Sequence, residues 1–96
     1  NGAGKTTMTL ELMAHDASVI YEFINADEIA KGLAPMHPAS VALEASKLMI
    51  SRLKELLRVG QNFAFETTGA GKNYIRHIKT AKSKGYKVQL ILALRT

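Results

Sequence analysis

The heptapeptide Asn1-Gly2-Ala3-Gly4-Lys5-Thr6-Thr7 constrains this chain more than any other feature. Its Gly-Lys-Thr closes the pattern G-x-x-x-x-G-K-[ST], a loop whose successive backbone N–H groups turn inward to cradle phosphate oxygens. Glycines in such a loop let the main chain come close to an anion. In that setting Lys5 reaches the β- and γ-phosphates of a nucleotide and the Thr6 hydroxyl holds Mg²⁺, with Gly2, Ala3, Gly4 and Thr7 completing the segment. The helix expected to follow adds the partial positive charge of its N-terminus. The bland alternative, a flexible turn capped by an ordinary helix, explains Gly4-Lys5-Thr6 less well.

The first glycine of the full pattern would lie before residue 1, as would the strand that leads into the loop. Residues 1–96 therefore read as part of a P-loop domain; the alternative to an enzyme is an inactive fragment, since the missing strand would leave two sheet edges exposed. The loop alone does not fix the class. Asn-Gly-Ala-Gly-Lys-Thr-Thr also suits transporter-type (ABC) ATPases, which hydrolyse ATP without a small-molecule acceptor.

Periodicity supplies the frame. Residues 5–15 read as the helix after the loop, with Met8, Leu12 and Met13 on one face. The β-branched and aromatic run at 19–24 reads as a strand, followed by a short helix through Ala30 and Lys31. Gly32, Pro35 and Pro38 interrupt the pattern. From Pro38 to Val59 the longest helix gathers Val41, Ala45, Leu48, Met49, Leu53 and Leu56 on one face, and Gly60 stops it. A strand at 62–66, a two-glycine loop, a basic helix from Lys72 to Lys84 ending at Gly85, and an apolar strand at 88–94 complete the chain. The last strand is apolar enough to be buried on both faces. Such alternation predicts an α/β fold with a mostly parallel sheet and flanking helices.

Two carboxylates fall where strands of such a sheet end, the edge at which ligands bind in open α/β folds. Asp27 follows the first strand and can accept a hydroxyl proton as that hydroxyl attacks phosphorus; equally, it can cap the helix behind it. Glu28 reads as a solvated helix residue. Glu66 closes the second strand, beside Thr67 and Thr68, and suits Mg²⁺ held through water or substrate orientation. An acidic residue at the end of a buried strand is costly without a partner, although Thr and Gly are also plain turn residues.

Composition narrows the partners. Lys and Arg number 13 against 8 Asp and Glu, a net charge of +5 that fits a nucleotide-phosphate binder and, almost as well, a nucleic-acid binder. The basic helix carries Lys72, Arg76, His77, Lys79, Lys82 and Lys84, and such a run is more often a solvated helix face than a nucleic-acid track. Without cysteine there is no disulfide framework and no thiolate zinc site, and the scattered His15, His37 and His77 lack metal-ligand spacing. No apolar run reaches the length of a membrane span, about 20 residues. An ATP-consuming enzyme of this kind is expected in the cytoplasm.

Taken together, Phe23-Ile24-Asn25-Ala26-Asp27-Glu28-Ile29-Ala30, the long helix around Leu43-Glu44-Ala45, Phe63-Ala64-Phe65-Glu66-Thr67-Thr68 and Gly85-Tyr86 before an apolar strand resemble the zeta toxin family. The resemblance implies a P-loop kinase fold and an ATP-dependent kinase that phosphorylates a sugar hydroxyl of a nucleotide sugar such as UDP-N-acetylglucosamine. Many members of that family are held inactive by a small antitoxin protein. Carried over by position, Lys5 and Thr6 match the nucleotide and Mg²⁺ residues, Asp27 the proposed base, and Glu66 and Thr68 the substrate site. Glu44 matches a substrate-contacting carboxylate on the long helix about as well as it matches a solvated one. Where family members follow the double threonine with Leu-Ser-Gly-Arg, this chain has Gly69-Ala70-Gly71-Lys72, and Lys72 keeps the charge without the planar fork that Arg offers phosphate. The family's lid arginines would come after Thr96.

Overall fold

The computed structural model describes residues 5–15, 20, 22–68 and 72–95. The chain runs β1 (Lys5–Met13), β2 (Phe23–Asn25), α1 (Ala26–Leu33), a 3-10 turn (Pro38–Val41), α2 (Ala42–Val59), β3 (Phe63–Thr68), α3 (Lys72–Ser83) and β4 (Lys87–Arg95). The strands form one sheet in the order β2-β3-β1-β4. β2 lies parallel to β3, and β1 is antiparallel to both β3 and β4. It follows that β2, β3 and β4 all point the same way, and β1 alone is reversed.

The α/β class therefore holds, but the sheet is mixed rather than mostly parallel, and the first element is a strand where periodicity predicted a helix. The segment Lys-Thr-Thr-Met-Thr-Leu-Glu-Leu-Met fits both periods. Met8, Leu12 and Met13 share a helical face, but the threonines favour extended backbone and Leu10 and Leu12 alternate with Glu11 as in a strand. Position decides the contest. β1 fills the gap between β3 and β4 and pairs along both of its edges, so that Leu10 and Leu12 enter the core with 6% and 1% exposure. The two edges expected to lie bare are thereby joined through β1.

The remaining elements depart less from expectation. β2 has only three paired residues, although the Glu22 carbonyl still accepts the Ala64 N–H. α2 begins after the 3-10 turn at Pro38. It buries Ala45, and it packs Met49, Leu53, Leu56 and also Leu57 into one core with Phe63 and Phe65, while Leu48 stays half exposed. At its end Gly60 adopts φ 74°, the left-handed conformation that closes a helix. α3 rests Ala81 in the core, with Tyr74 and Ile78 packed against it. β4 is not buried on both faces: it forms an edge of the sheet, and Leu90 is half exposed. Tyr86 ties the two layers together. Its ring stands edge-on to Phe63 and its hydroxyl donates toward the carbonyls of Leu56, at 3.2 Å, and Gln61, at 2.8 Å.

Candidate functional site at the carboxyl edge of the sheet

Where β2 and β3 end, the backbone brings the sequence-predicted residues to one edge. Asn25 is the ladder partner of Glu66, and α1 starts immediately after it, with Asp27 and Glu28 in its first turn. Because β1 is reversed, its beginning lies at the same edge as the end of β3: Thr7 is opposite Thr68 and Thr9 opposite Glu66. Lys5, two residues before Thr7, pairs with Arg95 at the end of β4. α3 opens at Lys72 after β3, and Glu44 sits in the first turn of α2, at the end remote from the Gly60 turn that feeds β3. Lys5, Thr6, Thr7, Asp27, Glu66 and Thr68 therefore occupy one edge, with Lys72 and Glu44 on the helix starts that belong to it. Gly2, Ala3 and Gly4 lie outside the described residues, as does the loop at 69–71.

Asn25 organises this edge. Its side-chain Oδ1 accepts the N–H groups of Asp27 at 2.8 Å and Glu28 at 3.2 Å, and its Nδ2 donates to Glu66 Oε1 at 2.8 Å. An amide can do both because one end is an acceptor and the other a donor. The helix cap is thus Asn25 and not Asp27. The carboxylate of Asp27 stays exposed in the first turn, where the helix dipole favours a negative charge. Glu28 makes the solvated i,i+3 pair expected of it, with Lys31 at 3.4 Å. Glu66 is half-buried and takes the Asn25 amide as a partner, which answers the cost of a carboxylate closing a buried strand.

Residue reasoning gave Asn25 no role. The signal is present, since Asn shortly before two acidic residues is a helix-start signature. Glu44 is exposed on the α2 surface, with no described contact to the Asn25–Glu66 pair. Among the described residues no group of three or more His, Cys, Asp or Glu is arranged to hold a metal ion. Magnesium ordinarily needs only one or two protein ligands, with water and substrate phosphates filling the rest. No described helix is long and apolar enough to cross a membrane.

Comparison with known proteins gives one informative relative. The chain is 29% identical over 90 residues to an uncharacterized protein of Haemophilus influenzae, an alignment that covers 94% of this chain and 61% of that protein. The chain thus spans about three fifths of the length of that relative. No protein-family model matches the chain, and no solved structure does.

Proposed function

We propose that this chain carries the nucleotide- and acceptor-binding edge of an ATP-dependent small-molecule kinase of the P-loop class, acting on a sugar hydroxyl of a nucleotide sugar such as UDP-N-acetylglucosamine. What supports the reading is the strand register: with Thr7 opposite Thr68 and Asn25 opposite Glu66, Lys5 and Thr6 lie at the same edge of the sheet as Asp27 and Glu66. Residues so far apart in sequence have no local reason to meet there.

In this reading Lys5 neutralises charge on the β- and γ-phosphates, and Gly2, Ala3, Gly4 and Thr7 belong to the same nucleotide-binding segment. Mg²⁺ at Thr6 would neutralise further phosphate charge, with Glu66 orienting the acceptor. Asp27 takes the proton of the acceptor hydroxyl as its oxygen bonds to the γ-phosphorus and the bond to ADP breaks. Its solvent exposure and its freedom from capping duty suit a group that must meet an incoming hydroxyl. Glu44, Thr68 and Lys72 are the acceptor-side candidates. The strand at Lys5–Met13 does not offer the helix N-terminus that usually adds to phosphate binding, so the charge of Lys5 carries more of that task. A small inhibitory antitoxin and a cytoplasmic setting belong to the same proposal.

The Asp27→Asn variant tests the assignment. It should lose phosphoryl transfer while binding ATP about as tightly as the parent protein; full turnover by the variant would remove Asp27 from the role.

A further inference from the structure

α3 from Arg76 onward and the last turns of α2 meet around a groove that has no part in the edge described above. A cavity of about 320 Å³ there is lined by Lys54, Leu57, Arg76, His77, Thr80 and Lys84. A more open depression, sharing Arg76 and Thr80 with it, extends toward Lys79. Cations from two separate elements thus converge on one concavity. Among the described residues the ion pairs join Lys31 to Glu28, Arg52 to Glu22 and Arg58 to Glu55, and none of them takes in Lys54, Arg76, Lys79 or Lys84. No Asp or Glu occurs after Glu66.

His77 adds an independent observation. Its residue is 6% exposed, and its Nε2 is buried without a hydrogen-bond partner, a cost that native structures rarely accept without reason. Burial, and then the positive charges of Arg76 and Lys54, hold the imidazole below its ordinary value of 6.5. A solvated basic helix face would spread its charges outward into water. Here the charges of Arg76 and Lys54 bear on a buried ring that lines the groove.

We propose that the α2–α3 groove binds the phosphate groups of a small phosphorylated molecule, with Arg76 as the bidentate donor and Lys54 and Lys84 as flanking charges. Arg presents a planar fork that matches phosphate oxygens, and lysines complete the neutralisation as point charges. Such a site stands apart from the Gly-Lys-Thr segment, so its fate does not depend on the kinase reading.

The test is titration of the protein with inorganic pyrophosphate, following the His77 ring resonances by NMR. The expected result is a saturable shift of His77, with affinity weakened about tenfold or more by Arg76→Gln, the equivalent of one charge-assisted hydrogen bond. Lys54→Gln should weaken it too, and Lys82→Gln, which alters a cation outside the groove, should leave it unchanged. The proposal is overturned if His77 does not respond, if the shifts fall only on residues 5–13, or if Lys82→Gln weakens binding as much as Arg76→Gln. It is overturned equally if a single-stranded oligonucleotide binds while pyrophosphate does not, since that would make the surface a nucleic-acid track.

Discussion

Asn25 and Glu66 are joined twice: they face each other across the β2–β3 ladder, and the Asn25 amide donates to the Glu66 carboxylate over 2.8 Å. Because the other end of the same amide caps α1, the start of that helix is fixed to the end of β3 through a single side chain. Asp27 inherits its position from this arrangement. Anything that loosens Asn25 moves the first turn of α1 relative to Glu66.

Replacing Asn25 with Ala removes the cap and strips Glu66 of that donor. Loss of a cap alone costs about 1 kcal/mol, within a range of roughly 0.5–2. Asn25→Asp keeps an acceptor for the cap but sets a second carboxylate against Glu66. Thermal melts should show both variants destabilised, Asn25→Asp recovering as pH falls and the carboxylates protonate, Asn25→Ala not recovering.

Leu12→Ala tests β1. Leu12 is 1% exposed, between partners in β3 and β4. Truncating a leucine so enclosed costs about 2–5 kcal/mol, which denaturant unfolding would register as a lower midpoint. A near-neutral result would mean that residues 5–13 do not occupy the middle of the sheet.

This segment also shows where sequence reading stopped. The terminators Gly60 and Gly85 were legible because positive φ at a helix end calls for glycine, and both adopt it. The amphipathic faces of α2 and α3 were legible for the same local reason. β1 was not, because its residues satisfy two periods and the choice lies with β3 and β4, which come more than 50 residues later. β4 was misjudged similarly: an apolar run tells that a strand is buried somewhere, not that it ends up at a sheet edge. At the candidate site, the carboxylates could be named from sequence, but the Asn25 bridge between them depends on a register that no local pattern encodes.

Gly60→Ala isolates a backbone effect. An added Cβ there meets nothing within 4 Å, so the cost is that of the left-handed conformation alone, about 1–2 kcal/mol. A loss well above that in a chemical melt would point to a contact that the geometry does not contain.

The Glu22–Arg52 pair gives a pH signature. Arg52 Nη2 donates to Glu22 Oε1 at 2.7 Å, and this bond is the main reason the Glu22 carboxyl sits below its ordinary value of 4.5. A carboxyl depressed on folding contributes stability above its unfolded value and loses it as pH falls through the folded one. Arg52→Gln should therefore lower stability at pH 7 slightly, as expected of an exposed pair, and the gap from the parent protein should close below pH 4.5. A gap that persists into acid would assign the effect of Arg52 to packing of its stem.

The most direct measurement is ATP consumption by the full-length protein with and without UDP-N-acetylglucosamine. The account predicts consumption that depends on the sugar, with a phosphorylated nucleotide sugar as product and with loss of both on Lys5→Ala. Consumption indifferent to the sugar would contradict the proposed acceptor and favour a plain ATPase, and no consumption in either condition would contradict the kinase reading of this edge.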